Sequence, residues 1–320
     1  MNQPQAIIGN EVNADVPLVS VVLTTYNGEQ FLSEQLDSLL AQSYPNVEII
    51  AADDGSKDNT VEILKQYSAR HSNMKVFVNE TNLGYVKNFD KACGLSSGKF
   101  IALCDQDDGW DKDRITKMVS SIGNAPLIYC DSFLCDEQLN KIGKRISDRV
   151  NCMQCSSPLE QAVFCRIYGN ATLMTRELYN HAHPFLEVIP HDWWLSFVAT
   201  SHGGIRYLHE PLVYYRQHSS NVFGAVGGKK NKSAKNENKR LENEKIKQRV
   251  KAFYATCPDE LSKEKNVLKR LSESYQSFST ANNMKRFLLF MNYRNTFLKV
   301  KKHSALHRFL FCFKMFYKIK

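Results

Sequence analysis

No stretch of about 18 consecutive apolar residues occurs in this 320-residue chain, which argues against an ordinary membrane-spanning helix. Residues 1–15 are polar and acidic, with no basic start followed by an apolar run, so no signal peptide is expected. The nine cysteines are odd in number and irregularly spaced, which suits reduced thiols in the cytoplasm better than a secreted disulfide framework. Cys152-x-x-Cys155 has no second Cys or His pair nearby, so the zinc reading of that pair is set aside. There is no internal repeat. What is present is 43% hydrophobic and 23% charged sequence, enough to bury a sizeable core.

Acids are unevenly distributed. Residues 1–226 hold 18 Lys and Arg against 26 Asp and Glu, whereas residues 227–320 hold 24 against 7. An acidic front and a basic back meet different partners, and the composition changes at Gly227-Gly228, where Gly, Lys, Asn and Ser replace apolar residues. The expected division is a polar tail over 1–16, one α/β domain over 17–226 with halves 17–125 and 126–226, and a basic, mostly helical extension over 227–320. Residues 227–249 read as either a linker or the start of an exposed helix.

The front alternates strand and helix patterns. Short β-branched or apolar runs at 18–24, 47–52, 75–79 and 100–104 read as strands. Segments 31–42, 60–67 and 85–93 read as helices, the second capped by Asp58 or Asn59. This order predicts an α/β fold with a mainly parallel sheet covered on both faces. Ligands of such sheets bind beyond the carboxyl ends of the strands. Three polar clusters fall at those ends: Thr24-Thr25-Tyr26-Asn27-Gly28, Asp53-Asp54-Gly55-Ser56 and Asp105-Gln106-Asp107-Asp108.

The third cluster carries the most chemistry. Neighbouring carboxylates raise one another's pKa unless a cation neutralises them. Carboxylate oxygens suit Mg²⁺ or Mn²⁺, which bind through one or two such groups plus substrate phosphates. Taken alone an Asp-x-Asp is more often an acidic surface turn; its place after an apolar strand, with Trp110 beyond, favours a metal–diphosphate site. Asp53-Asp54-Gly55 is equally readable as a turn or as a nucleoside contact.

VSVVLTTYNGEQFLSEQLDSLLAQSYPNVEIIAADDGSKDNT, then Asn82-Leu83-Gly84, then GKFIALCDQDDGW, resemble the family 2 glycosyltransferases of the GT-A fold, over roughly residues 17–220. CDQDDGW is similar to the branch containing bacterial rhamnosyltransferases of O-antigen and capsule assembly, with Gly109 where that branch usually has an apolar residue. The resemblance implies that Thr24, Tyr26, Asp53 and Asp54 hold the nucleoside of a nucleotide-diphosphate sugar, with Gln106 beside them. It implies that Lys87 and Asn88 line the diphosphate, that Asp105 approaches the ribose or phosphate, and that Asp107, with Asp105 and His218, ligates Mg²⁺ or Mn²⁺. It places the catalytic base at Asp192, in His191-Asp192-Trp193-Trp194. A carboxylate there would take the proton of an acceptor hydroxyl and give inversion; as a plain alternative, Asp192 caps a helix. Gly169 and Asn170 match the acceptor-side strand before the base. Trp193 is open between stacking on a sugar and core packing. Arg216 and His218, with Asn221 following, match the segment that closes the donor site, where either could face the phosphates and stabilise the departing diphosphate; as a plain alternative they are a surface Arg and a satisfied core His.

The last acid in the chain is Glu273; ten Lys or Arg follow it. Leu306, Phe309, Leu310, Phe313, Phe316 and Tyr317 recur at helical spacing, between Lys314, Lys318 and Lys320. Two readings stand: residues 274–320 lie on an anionic membrane surface, or the aromatic stripe packs on the catalytic domain. The expected reaction moves a sugar from a dTDP- or UDP-sugar to a lipid-linked saccharide, on the cytoplasmic face of the cell membrane. No nucleic-acid partner is expected, because the front domain is acidic. A nucleotidyltransferase is the enzyme alternative, although TTYNGEQ lacks the cation its phosphate loop needs; a non-enzymatic membrane- or nucleic-acid-binding protein leaves the acidic clusters unexplained.

Overall fold

The computed structural model describes residues 16–218 and 234–317. The first 15 residues, Asn221, Gly227-Gly228, Lys318 and Lys320 lie outside the described residues.

The front follows the expected alternation. β1 (Val19–Thr25), α1 (Leu32–Leu40), β2 (Val47–Asp53), α2 (Thr60–Arg70), β3 (Met74–Val78), α3 (Tyr85–Leu95) and β4 (Phe100–Cys104) come in that order. Boundaries differ from the sequence reading by up to three residues, the usual scatter at element ends. Then come β5 (Gly109–Trp110), α4 (Arg114–Ile122), β6 (Leu127–Cys135), β7 (Lys141–Arg145), α5 (Ile146–Arg149), β8 (Thr172–Thr175), α6 (Arg176–Ala182), α7 (His191–Ser201) and β9 (Ile205–Arg216). Four helices follow: α8 (Ala234–Thr256), α9 (Ser262–Ser274), α10 (Thr280–Phe297) and α11 (Ala305–Tyr317). The ambiguous segment after Gly227 is thus helical from Ala234.

Among the described residues the strands form one sheet in the order β3-β2-β1-β4-β8-β6-β9-β5, with β7 beside β6. β1 to β4 are parallel, as expected of strands joined by helical crossovers. This nucleotide-binding half bears out the expected parallel sheet, and beyond β4, where β6 and β9 are again parallel, antiparallel pairs are added. β8 runs antiparallel to both β4 and β6, and β5 antiparallel to β9. The sheet is therefore mixed, with β8 inserted antiparallel between β4 and β6.

Strand alternation separates two cores. Val19, Val21 and Leu23 face α1 and α4, through Leu32, Leu36, Leu39, Ile115 and Met118. Val22, Ile50 and Ile101 face the other way, onto α3, α6, α7 and the C-terminal helices. The junction with those helices is aromatic. The Phe253 ring of α8 stacks on Phe197 of α7 at 4.0 Å between centroids and on Trp194 at 6.4 Å. Phe253 is fully buried; truncating it to Ala would remove about 3–5 kcal/mol of stability. Helix α7, which carries Asp192, is therefore braced by the C-terminal helices.

α11 has one packed and one exposed side. Phe311 packs on Phe164, and Cys312 is buried. Leu306, Phe309, Leu310 and Phe313 are exposed, as are Met284 and Leu288 of α10. No described helix is long and apolar enough to cross a membrane.

Candidate active site

The first two polar loops fasten to each other before they can hold anything else. Asp53 accepts hydrogen bonds from Thr25 Oγ1 (2.9 Å), Ser56 Oγ (2.5 Å) and the N–H groups of Gly55 and Ser56. Asp54 accepts from Asn79 Nδ2 (2.9 Å) and from the N–H groups of Leu83 and Gly84. Gly84 has a φ of 80°, a left-handed conformation that favours glycine. Both carboxylates are buried. Asp53 thus ties the loops after β1 and β2 into one floor, and Asp54 ties Asn82-Leu83-Gly84 against it. Asn88 is buried too, bonding Asn79 and the carbonyl of Ala52 at 2.9 Å each. Thr24 is half-buried at the same strand end, and Tyr26 stands out of this floor as an exposed ring. Lys87 is exposed and pairs with Glu187 at 2.7 Å, linking α3 to the loop before α7.

Gln106 clips the acidic loop to the first one. Its Oε1 accepts the Tyr26 N–H (2.8 Å) and its Nε2 donates to the Tyr26 carbonyl (3.1 Å). A Cβ at Gly28 would lie 2.2 Å from that Oε1, so the clip requires glycine there.

Asp105, Asp107 and Asp108 point to different tasks. Asp108 is fully buried, accepting from Asn170 Nδ2 and from the Arg216 N–H (3.0 Å). The Arg216 guanidinium is also inside the protein rather than facing a phosphate. It donates to the carbonyls of Asp107 (2.7 Å) and Glu137 and to Glu34 (2.5 Å), and covers the Phe31 ring at 4.4 Å. The end of β9 thus pins the acidic loop by its backbone. A second buried arginine, Arg114, donates to the carbonyls of Asn170 and Thr172 and stacks on Trp110 at 3.5 Å. Gly109 leaves room for Leu139, whose Cδ1 would be 2.9 Å from an added Cβ.

Asp107 meets His218, Oδ2 to Nε2 at 2.9 Å, with the His218 ring packed on Phe31 at 4.8 Å. Adjacent corners of an octahedron with bonds of about 2.1 Å lie about 3 Å apart, so this pair fits two ligands of one cation. No three His, Cys, Asp or Glu side chains among the described residues converge as a metal site. Substrate phosphates would have to complete the shell.

Asp105 lies within electrostatic reach of two other acids. Burial, then the charges of Asp107 and Asp192, push the Asp105 carboxyl up to about 7. Burial raises Asp192 to about 6 against the pull of the Trp193 N–H, which donates to its Oδ1 at 2.7 Å. Asp192 does sit in the first turn of α7, where capping was the plain reading, but only one local bond uses it. Its neighbour His191 stacks on Phe89 at 4.2 Å, is held neutral by burial, and has no hydrogen-bond partner on either ring nitrogen. A Cβ at Gly169 would lie 2.6 Å from His191 Nε2. Trp193 is committed within the protein: its Nε1 donates to the Gln161 carbonyl (2.6 Å), and the Arg249 guanidinium lies over its ring at 4.0 Å. Trp194 is core.

Four structural residues escaped the sequence reading: Glu34, Arg114, Gln161 and Arg249. Their partners lie far away in sequence, and no local pattern marks them. Asp108 was visible only as a third acid.

The comparisons with known proteins agree with this geometry. The family model "Glycosyl transferase family 2" matches residues 20–181. An uncharacterized glycosyltransferase of Haemophilus influenzae is 28% identical over 234 residues, covering 68% of this chain and 71% of that protein. The putative teichuronic acid biosynthesis glycosyltransferase TuaG of Bacillus subtilis is 37% identical over 103 residues, covering 32% of this chain and 41% of TuaG. S. aureus TarS 1–349, solved with UDP-GlcNAc, superposes with a TM-score of 0.59 at 16% identity, over 87% of this chain and 81% of that one. The mannosyltransferase PcManGT of Pyrobaculum calidifontis, solved with GDP-Man and Mn²⁺, superposes at 0.53 and 15% identity, over 96% and 83%. These structures share the mixed sheet and flanking helices of the GT-A fold. With half the sequence matched by the family model, the chain belongs to glycosyl transferase family 2 and is a glycosyltransferase.

Proposed function

We propose that this glycosyltransferase is metal-dependent and inverting. It would move a sugar from a nucleotide-diphosphate donor to a hydroxyl of a lipid-linked glycan in bacterial surface-polysaccharide synthesis. The observation that carries the reading is the Asp107–His218 pair, 2.9 Å apart at the end of β4, with Asp192 near enough that its charge helps to raise Asp105. Support for the donor comes from the TarS complex with UDP-GlcNAc, and for polysaccharide synthesis from TuaG.

Asp53, Asp54 and Gln106 build the donor floor, and Tyr26 offers a face to the base. Asp107 and His218 would hold the divalent ion; a mixed carboxylate–imidazole pair suits Mn²⁺ better than Mg²⁺, and PcManGT carries Mn²⁺. When bound, such an ion offsets negative charge on the departing diphosphate. Arg216 and Asn170 fix the acidic loop through Asp108. Asp192 takes the proton of the acceptor hydroxyl as its oxygen attacks the anomeric carbon. No second carboxylate is needed as a nucleophile, so the single displacement inverts that carbon. Proton transfer to a positioned base contributes about 10²–10⁴-fold.

We place residues 17–226 as the catalytic domain and 227–320 as its helical extension. The exposed apolar side chains of α10 and α11, with no acid after Glu273, support peripheral attachment to the anionic inner face of the cell membrane. Incubating the full chain with a panel of dTDP-, UDP- and GDP-sugars and Mn²⁺ tests the activity. One donor should release nucleoside diphosphate, and the product should have the opposite anomeric configuration. Release from none of them, or a product of retained configuration, would overturn the reading.

A further inference from the structure

Gln106 stands between Asp105 and Asp107, but its amide is spent on the backbone of Tyr26, 80 positions earlier. Oε1 accepts the Tyr26 N–H at 2.8 Å, and Nε2 donates to the Tyr26 carbonyl at 3.1 Å. One side-chain amide thus matches both polar groups of one residue, as a neighbouring strand would. Two bonds fix the rotation of Tyr26 as well as its position, so its side chain leaves the backbone in a set direction. The ring at the end of that side chain is 47% exposed.

The contact is built from both loops. A Cβ at Gly28 would lie 2.2 Å from Gln106 Oε1, 2.4 Å from its Cδ and 2.9 Å from its Nε2. These are the nearest atoms that such a Cβ would meet, and all belong to the end of a flexible side chain. A larger residue at 28 would therefore push the glutamine off Tyr26. The Gly28 N–H donates to Thr60 Oγ1 at 2.8 Å, which holds the backbone there in place independently of Gln106.

The acids of the second loop leave the holding of a base to the ring. Asp53 is fully buried, and Thr25, Ser56 and the N–H groups of Gly55 and Ser56 fill the four lone-pair positions of its carboxylate. Asp54 is buried too and accepts from Asn79, Leu83 and Gly84. Carboxylates engaged in this way take the edge N–H of a base only by giving up a partner. An aromatic face asks for no particular edge, since every base has a π-face. It does ask for order: a ring that wanders must be immobilised when the base arrives, at a cost in affinity.

We propose that Gln106 is a positioning residue for the donor nucleotide, which orients the Tyr26 ring in advance as the face on which the base stacks, and that residue 28 is glycine to admit it. This rests on the donor being a nucleotide-diphosphate sugar.

Titration calorimetry of the full chain tests it, with UDP and, separately, with inorganic pyrophosphate, each in the presence of Mn²⁺. Where dTDP or GDP binds more tightly than UDP, it takes the place of UDP. Pyrophosphate reads the metal loop alone, and the ratio of the two affinities reads the nucleoside. Tyr26→Ala should cut that ratio about fivefold or more, the worth of a stacked base. Gln106→Ala should cut it about two- to tenfold, the cost of ordering one free side chain. Pyrophosphate affinity should hold, because Arg216 still bonds the Asp107 carbonyl and Asp108. With Tyr26→Ala already present, Gln106→Ala should cost nothing more, since no ring is left to orient. Gly28→Ala should reproduce Gln106→Ala, and the two together should be no worse than either, which excludes a fold defect as the cause. An unchanged ratio in Gln106→Ala would overturn the proposal. So would equal losses of nucleotide and pyrophosphate, which would make Gln106 a support of the metal loop. A loss that persists without the Tyr26 ring would make it a direct ligand instead. A wild type that binds none of the three nucleotides would sink the donor reading as well; nucleotide binding with an unchanged ratio sinks the positioning role alone.

Discussion

His218 Nε2 stands 2.9 Å from Asp107 Oδ2, although 111 positions of sequence separate the two residues. β9 brings the histidine back to the acidic loop, and Arg216, two residues before it, bonds the Asp107 carbonyl. If the pair shares a divalent ion, His218→Ala should raise the Mn²⁺ concentration needed for half-maximal activity by at least the 10–100-fold seen when even an outer partner of a metal ligand is lost. Titrating Mn²⁺ against nucleoside diphosphate release checks this. An unchanged Mn²⁺ requirement would remove His218 from the metal site.

Arg216 should behave as a structural clamp and not as a phosphate ligand. Removing its side chain strands Glu34 and the carbonyls of Asp107 and Glu137, while its backbone N–H still reaches the buried Asp108. Arg216→Ala should cost about 1–3 kcal/mol in denaturant unfolding, the cost of leaving buried carbonyls without a donor. Arg216→Lys should recover little, because a point charge cannot serve three directions at once. Unfolding midpoints of the two variants decide it: near-wild-type stability with a weakened affinity for donor would restore the phosphate role.

Gly169 and His191 should be energetically coupled. A Cβ at Gly169 would come within 2.6 Å of His191 Nε2, and the ring is pinned by Phe89 at 4.2 Å. Gly169→Ala should therefore cost about 1–3 kcal/mol from overpacking. It should also lower kcat by about 10–10²-fold, because a shifted His191 carries Asp192 with it. The KM for donor should barely move. His191→Ala in the same chain should regain stability, which a double-mutant cycle would measure as a coupling. Additive effects would mean that the two residues act independently.

These relationships mark the limit of what the sequence discloses. β4 is legible at Phe100–Cys104 because its run is continuous and ends in acids, and the three polar clusters are legible because each follows a strand. Asp107 and Asp192 stand out by residue type and context. Arg216 does not declare its role: a surface phosphate ligand and a buried clamp have the same local sequence, and its partners lie 79 to 182 positions away. The mixed second half of the sheet is hidden for a similar reason, since β8 pairs with β4 and β6 across irregular connections. In α11 the apolar stripe is wider than one helix face. Its period alone could not tell that Phe311 and Cys312 pack inward while Phe309 and Phe313 stay exposed.

Asp192 gives two opposed predictions in one variant. Its folded pKa of about 6 lies above the usual aspartate value because burial disfavours the charged form. As a base it must be ionised, so transfer should rise as pH passes through about 6 and level off above it. The stability sign is the reverse. A raised carboxyl pKa favours the folded state below the unfolded value, and that contribution is lost as pH climbs from about 4 to about 6. Above pH 6 the ionised carboxylate costs on the order of 2 kcal/mol. Asp192→Asn keeps the shape and removes the charge. It should abolish transfer while raising the melting temperature at pH 7.5 by several degrees, and the gain should fade toward pH 4. Donor binding, read as thermal stabilisation by nucleotide sugar with Mn²⁺, should survive. An Asp192→Asn enzyme that turned over near normally would show that the proton leaves by another route. One that melted no higher than wild type at neutral pH would show that the carboxylate is already solvated, as a simple helix cap would be.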